Sequence, residues 1–98
     1  IAPRQHASRF EQLDDRRLKT LSSLFQSVLR RLESHPRIEA YNYLLHSLPL
    51  PADGGEHYHW HFEILPRIAK EAGFEWGTQI GVNTVSPERA AVEIRQPQ

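Results

Sequence analysis

Ionisable side chains occupy every second position of one short stretch, residues 57–65. These positions are His57, His59, His61 and Glu63, and aromatic or branched apolar residues fill the places between them. Strict alternation over this length is typical of a β-strand, in which successive side chains point to opposite faces. The pattern predicts a strand with three imidazoles and a carboxylate on one face and core-forming side chains on the other.

Histidines arranged in this way are typical of a metal site. Along a strand, His59 and His61 lie about 6.5 to 7 Å apart on the same face, which lets both rings reach one ion. His46 ends a second aromatic-rich stretch and can supply a third ligand from a neighbouring strand. Zinc and ferrous iron both accept imidazole ligands. We therefore predict a zinc or iron site formed by His46, His59 and His61, with Glu63 as a further oxygen ligand or a hydrogen-bond partner of the histidines.

The same row permits a second chemistry. His-x-His-x-His with apolar spacers is the pattern of histidine-triad nucleotide hydrolases and transferases, in which the middle histidine attacks the α-phosphorus and forms a nucleotidyl-histidine. His59 holds that middle position. A third interpretation, histidines exposed on a sheet without a chemical role, suits a single histidine better than three alternating ones. His6 and His35 lie outside the row and are interpreted as exposed.

A second stretch with chemical potential covers residues 74–82. It alternates loosely and contains two glycines, which predicts a strand with a bend at which the backbone approaches a ligand closely. The functional interpretation is a sugar- or phosphate-binding edge; the structural alternative is a packed, bent strand. The candidate binding residues are Phe74, Trp76, Thr78 and Gln79.

The elements that position these residues follow from apolar periodicity and capping signals. Apolar residues recur at spacings of three and four over residues 14–34, which predicts a long amphipathic helix. Asp14 or Asp15 caps its start and Pro36 ends it. The aromatic-rich residues 38–46 predict a strand.

A hairpin is predicted between residues 38–46 and residues 57–65. The connection contains Asp-Gly-Gly at positions 53–55, which is a strong turn signal, and Pro66 is expected to end the second strand. A short helix is expected over residues 67–72, with Gly73 terminating it.

The last element is a helix from Ser86, the cap, to about residue 96. The order of elements predicts one α+β domain over residues 1–98, with a mostly antiparallel sheet against which the long helix and the C-terminal helix pack.

Composition excludes several classes of function. Twelve basic and twelve acidic residues give a net charge of zero with neutral histidines, so no field that would attract nucleic acid is expected. The absence of cysteine excludes disulfides and thiolate metal sites and fits a cytoplasmic protein. No apolar stretch approaches the roughly 18 residues of a membrane span. The chain does not begin with Met, so we expect a processed protein or a piece of a longer one.

Four stretches, in order, carry a resemblance to a known family. They are residues 42–49 (Asn-Tyr-Leu-Leu-His-Ser-Leu-Pro), 59–67 (His-Trp-His-Phe-Glu-Ile-Leu-Pro-Arg), 72–78 (Ala-Gly-Phe-Glu-Trp-Gly-Thr) and 86–91 (Ser-Pro-Glu-Arg-Ala-Ala). Together they resemble the C-terminal domain of galactose-1-phosphate uridylyltransferases, a family of the histidine-triad-like superfamily. Pro3-Arg4-Gln5-His6, followed by Phe10, resembles the beginning of that domain.

The resemblance implies one half of a two-domain transferase. The family moves UMP between UDP-glucose and galactose 1-phosphate through a uridylyl-histidine, whose histidine belongs to a His-Pro-His motif in the N-terminal domain. This chain has no such motif, because Arg37 follows His35-Pro36. No catalytic residue is therefore expected here, and the chain alone is expected to be inactive. The expected partners are that N-terminal catalytic domain, a sugar 1-phosphate or nucleotide sugar, and a second copy in a homodimer.

The resemblance also assigns residues. The positions at which the family binds iron or zinc match His46, His59 and His61, with a glutamate from the other domain. The stretch that matches residues 74–79 is similar to the part that contacts the sugar phosphate, typically across the dimer interface. It departs there from the best-known members, and relatives with this motif style include ADP-glucose:phosphate adenylyltransferases, so the sugar nucleotide stays open. A non-catalytic metal-binding dimerisation module is the remaining alternative.

Overall fold

The protein is described from a computed structural model, which covers residues 1–50, 53 and 55–96. Its helices and strands are α1 (Asp15–Glu33), β1 (Ala40–His46), β2 (His61–Arg67), α2 (Gly73–Thr78) and α3 (Pro87–Arg95), with single 3-10 turns at Phe10–Gln12 and Gly55–His57. The two strands pair antiparallel. The predicted α+β class with an antiparallel sheet is confirmed.

Helix α1 forms where its apolar periodicity and its caps predict it. The Asp14 side chain accepts a hydrogen bond from the backbone N–H of Arg17 at 2.8 Å, which satisfies one of the free donors of the first turn. The helix packs on the sheet through Phe25, whose ring centroid lies 5.3 Å from that of Tyr43 and 4.9 Å from that of Phe62. The long helix thus covers one face of the sheet.

The register of the sheet determines which residues share the other face. His46 lies opposite His61, and Leu45 lies opposite Phe62. Because side chains alternate along each strand, the face away from Phe25 carries a second set of residues. We call it the exposed sheet face; it consists of Asn42, Leu44, His46, His61, Glu63 and Leu65.

Residues 1–8, here called the edge segment, run along the outer edge of β2. The backbone nitrogen of Ile1 donates to the carbonyl of Phe62 at 2.7 Å, and the Phe62 N–H donates back to the Ile1 carbonyl at 2.7 Å. Further along, the Trp60 N–H donates to the carbonyl of Ala7 at 2.9 Å. The edge segment therefore supplies backbone partners that β1 cannot reach.

The prediction that Pro66 ends the second strand is wrong, because β2 continues to Arg67. The N–H of Phe62 points to the outer edge, so every second residue after it does the same. Pro66 is one of these residues, and its missing N–H removes no hydrogen bond to β1.

Strand β2 also begins later than predicted. His57 belongs to the 3-10 turn Gly55–His57, and residues 58–60 are not in a strand. Alternation alone could not show this, because the edge segment, which is distant in sequence, binds the backbone of residues 58–60. The predicted Asp-Gly-Gly turn falls on Gly54, which lies outside the described residues.

The two predictions for residues 67–82 are wrong. No helix forms over residues 67–72, and Gly73 begins helix α2 instead of ending one. The Glu75 carboxylate accepts a hydrogen bond from the Ala72 N–H at 2.9 Å, which caps the start of α2. Gln79 closes the helix with a left-handed backbone (φ 58°, ψ 24°). These local hydrogen bonds favour a helix over residues 73–78, where the loose alternation had predicted a strand.

Helix α3 begins after Ser86, whose hydroxyl accepts from the Arg89 N–H at 3.3 Å, as predicted. It lies against the C-terminal end of α1 through Glu93. That carboxylate contacts Arg37 and lies 3.3 Å from Nε2 of His35. His35 is buried, so its interpretation as an exposed residue is wrong. None of the helices in the described part of the chain is long and apolar enough to span a membrane.

Trp60 is the centre of the small core. It is 2% exposed, and the Phe10 ring meets it edge to face with ring centroids 5.4 Å apart. Its indole N–H is buried and has no acceptor among the described residues. The other buried apolar side chains are Leu32, Leu48 and Val85.

The two tryptophans make a matched pair for testing this core. Trp60→Ala is expected to lower the free energy of unfolding by about 3–5 kcal/mol, because it leaves a large cavity. Trp76→Ala is expected to change it by no more than about 0.5 kcal/mol, because Trp76 is 72% exposed. Urea denaturation followed by circular dichroism measures both; equal effects would contradict the assignment of Trp60 to the core.

Candidate functional site

Three predicted residues come together on the exposed sheet face. The rings of His46 and His61 stack with centroids 4.8 Å apart and an angle of 19° between their planes. Nε2 of His46 lies 3.1 Å from a carboxylate oxygen of Glu63. The pairing of β1 with β2 brings these residues together, since His46 and His61 are direct partners in the register.

Hydrogen bonds determine which ring nitrogen of His46 and of His61 keeps a free lone pair. Nδ1 of His61 lies 3.1 Å from the carbonyl oxygen of His59. Because a carbonyl only accepts, that nitrogen carries the proton and Nε2 keeps its lone pair. In a neutral His46, Nε2–H donates to Glu63 and Nδ1 keeps the lone pair. Each histidine thus offers one nitrogen for a metal ion or an electrophile.

His59 lies apart from this pair. Its Nε2 is 2.6 Å from the carbonyl oxygen of Pro3, and its Nδ1 accepts the N–H of Ala7 at 3.3 Å. The His6 ring stacks on it with centroids 5.8 Å apart. The side chain of His57 is 87% exposed beside Glu56. The predicted row of three histidines on one strand face is therefore not formed.

The arrangement of these side chains falls short of a complete metal site. In the described part of the chain, no group of three His, Asp or Glu side chains is arranged to hold an ion. His46 and His61 are the two predicted ligands that lie side by side, and they make at most an incomplete site. Further donors would have to come from outside the described residues.

The predicted sugar-phosphate edge is a short exposed helix. The side chains of Phe74 and Trp76 are well exposed, and Gly77 faces open space. The Thr78 hydroxyl donates to the carbonyl of Phe74 at 2.7 Å and accepts the Ile80 N–H at 3.2 Å, so its hydrogen-bonding capacity is largely used within the chain. Trp76 and Phe74 are therefore the members of this group best placed to contact a ligand.

A groove at the end of the exposed sheet face was not predicted. It has a volume of about 520 Å³ and lies between the end of the sheet and residues 68–84. Its charged lining residues are two basic and two acidic ones, Arg67, Lys70, Glu71 and Glu75, and Asn42 and Asn83 supply neutral polar groups. No sequence pattern indicates this groove, because it depends on how the chain turns back after β2.

One carboxyl in this region has a shifted pKa. The backbone N–H of Ala72, and second the N–H of Glu75 itself, lower the pKa of the Glu75 carboxyl below its ordinary value. The ionised form is the one that caps α2. The cap is therefore a feature of neutral pH.

Comparisons with known proteins agree with this fold. No protein-family model matches the chain. It is 33% identical over 98 residues to ADP-glucose phosphorylase of Arabidopsis thaliana, a match that covers 98% of this chain and 28% of that protein. A solved GalT-like protein from Arabidopsis thaliana superposes on the whole chain with a TM-score of 0.90 and 32% identity. The chain folds as a GalT-like domain.

A second solved structure supports the same fold. ADP-glucose phosphorylase from Arabidopsis thaliana with bound ADP-glucose superposes with a TM-score of 0.89 and 32% identity over the whole chain. The GalT-like domain spans about a third of each of these two structures: 33% of one and 32% of the other. The resemblance to the galactose-1-phosphate uridylyltransferases and the histidine-triad-like fold are thereby confirmed.

The cap of α2 predicts a dependence on pH. A carboxyl whose pKa is lowered in the folded state stabilises that state above its ordinary pKa, and the stabilisation is lost as pH falls through the lowered value. Amide exchange at residues 73–78 is expected to accelerate several-fold in Glu75→Ala at neutral pH. Exchange measured by NMR checks this, with Glu71→Ala as a control on an exposed neighbour. Equal acceleration in both variants would contradict the cap.

Proposed function

We propose that this GalT-like domain serves a nucleotidyltransferase-type reaction on a sugar nucleotide. The likeness in sequence and fold along the whole chain to an ADP-glucose phosphorylase carries the proposal. That relative was solved with ADP-glucose, which favours ADP-glucose over UDP-glucose as the first substrate to test. Transfer of UMP between UDP-glucose and galactose 1-phosphate is the second candidate.

The domain contributes binding groups and not the nucleophile. A uridylyl- or adenylyl-histidine needs an imidazole with a free nitrogen beside the α-phosphorus. The sequence has no His-Pro-His motif, so the nucleophile belongs to an N-terminal catalytic domain. His59 as the nucleophile of a stand-alone phosphoramidase is disfavoured, because both of its ring nitrogens are hydrogen-bonded.

The ligand-binding edge is formed by helix α2 and its exit. The faces of Phe74 and Trp76 are apolar and exposed, which suits contact with a sugar ring or a nucleobase. Gln79 adds an amide in a backbone conformation that few non-glycine residues adopt. The same apolar surface, extended by Ile80 and Val82, suits a second copy of the domain. A homodimer in which this edge meets its neighbour is part of the proposal.

The zinc or iron ion belongs to the proposal as well. His46 and His61 supply two nitrogens, and a carboxylate from the catalytic domain completes the ligand set. A bound ion would crosslink the two halves of the enzyme and stabilise the folded state. His59 could join this set through Nδ1 if that nitrogen released the Ala7 N–H, while its Nε2–H kept the hydrogen bond to the Pro3 carbonyl.

Binding of sugar nucleotides tests the proposed function. Titration of the protein with ADP-glucose, UDP-glucose and glucose 1-phosphate is expected to shift the amide resonances of residues 74–79. Trp76→Ala is expected to weaken binding at least about tenfold, because a flat apolar contact is lost. Val92→Ala, a truncation of another exposed apolar residue, is the matched control and leaves affinity unchanged. Resonance shifts spread over the whole protein, or equal losses of affinity in both variants, would refute the assignment of residues 74–79 as the ligand-binding edge.

Activity is expected only when the catalytic domain is present. The chain alone should not transfer a nucleotide from ADP-glucose to phosphate or from UDP-glucose to galactose 1-phosphate. Turnover by the chain alone would contradict the assignment of the nucleophile to the catalytic domain.

Elemental analysis tests the metal. Protein that joins this domain to its catalytic domain is expected to contain about one zinc or iron ion, and His46→Ala and His61→Ala are each expected to lose it. His57→Ala is the matched control, since His57 is exposed and distant from the pair. Full metal content in the His46 and His61 variants would exclude both residues as ligands.

A further inference from the structure

Ser47, the residue that follows β1, uses its hydroxyl both as a donor and as an acceptor. Its Oγ accepts the N–H of Phe10 at 3.0 Å and donates to a carboxylate oxygen of Glu11 at 2.9 Å. A backbone N–H only donates, so the single hydroxyl proton goes to the carboxylate. Ser47 thus links the end of β1 to a 3-10 turn that begins 37 positions earlier in the sequence.

The carboxyl of Glu11 is held in its ionised form. The backbone N–H of Glu11 itself, and second the Ser47 hydroxyl, lower the pKa of this carboxyl below its ordinary value. A hydrogen bond to a charged acceptor is stronger than one between two neutral groups. The bond from Ser47 to Glu11 is therefore charge-assisted at neutral pH.

The next two residues are bound to the same part of the chain. The N–H of Leu48 donates to the carbonyl of Ser8 at 3.0 Å, and the Leu48 side chain is buried. One guanidinium nitrogen of Arg9 donates to the carbonyls of Leu48 and Pro49 at 3.0 and 3.1 Å. The Arg9 side chain is itself only 14% exposed, so these bonds are partly shielded from water.

We call the contacts of residues 8–11 with residues 47–49 the bracket. It begins where the sheet ends, because His46 is the last residue of β1 and its pair with His61 is the last of the register. The His46 side chain is 40% exposed. The last residues of a strand open more readily than its centre unless the chain beyond them is held. The bracket holds the chain one residue after His46.

We infer that Ser47 is a positioning residue for His46. Its two hydrogen bonds determine where the chain leaves β1, and they thereby hold the backbone from which the His46 ring stacks on His61. The inference rests on the proposed function in one respect, that His46 is a functional imidazole. The placement of the ring can be measured without that function.

The first experiment measures this placement in the metal-free protein. Nuclear Overhauser contacts between the rings of His46 and His61 are expected in the wild type and are expected to weaken in Ser47→Ala. The Phe10 amide of that variant is expected to exchange at least about fivefold faster, which is the effect of losing one hydrogen bond. The matched control is Ser22→Ala, which removes a hydroxyl that binds a carbonyl within α1 and is expected to change neither signal.

A conservative variant separates positioning from general destabilisation. Ser47→Thr keeps the hydroxyl and is expected to restore the ring contacts and the slow exchange of Phe10. If Ser47→Ala does not fold, Glu11→Ala removes the acceptor of the hydroxyl from an exposed position and is expected to weaken the ring contacts in the same direction. Ring contacts of wild-type strength in the alanine variant, or equally weak ones in Ser47→Thr, would overturn the inference.

Zinc titration separates this inference from the proposed metal site. In protein that joins this domain to its catalytic domain, Ser47→Ala is expected to raise the zinc dissociation constant about tenfold, the smaller end of what losing a group behind a metal ligand costs. Wild-type protein that binds no zinc would count against the metal site and leave the ring contacts to decide the role of Ser47. Equal zinc affinity with unchanged ring contacts would refute the inference alone.

Discussion

The antiparallel register between β1 and β2 is the constraint on which the rest of the structure depends. It sets Leu45 opposite Phe62 and therefore turns the aromatic residues of both strands toward Phe25 of the long helix. The same register turns His46 and His61 to the exposed face as direct neighbours. A slip of one residue would exchange the two faces. Core packing and the histidine pair thus share one cause, and neither can change without the other.

The edge segment supplies the second constraint, because two strands alone make a marginal sheet. Its hydrogen bonds to Phe62 and Trp60 complete the outer edge of β2, and they come from residues more than fifty positions away in sequence. The core residue Trp60 and the anchored residue His59 are adjacent, so burial of the indole and capture of the edge segment stabilise each other. Near the C-terminal end of α1, Glu93 of α3 forms ion pairs with Arg89 and Arg37, and the pair with Arg37 joins α3 to the segment that follows α1. Arg89, and then Arg37, lower the pKa of the Glu93 carboxyl.

Capping residues and apolar periodicity correctly predicted the two helices whose ends are determined by nearby residues. Helices α1 and α3 lie where Asp14 and Ser86 cap them, and the antiparallel pair was evident from its aromatic strands. Alternation failed as a guide at His57, which lies in a 3-10 turn, and at His59, because the edge segment binds residues 58–60 and the strand begins only at His61. It failed again at residues 74–82, where the capping carboxylate of Glu75 favours a helix. The resemblance indicated the candidate functional stretches, whereas the partners of each imidazole depend on contacts between distant residues.

Pro66 has a consequence for how this protein behaves among copies of itself. Beyond Phe62, the outer edge of β2 is an open sheet edge. Strands of other molecules can pair with such an edge and nucleate aggregates. At Pro66 the approaching strand meets a pyrrolidine ring in place of a donor, so a continuous ladder cannot extend along this edge. The residue that leaves the pairing with β1 intact therefore also acts as a gatekeeper against edge-to-edge assembly.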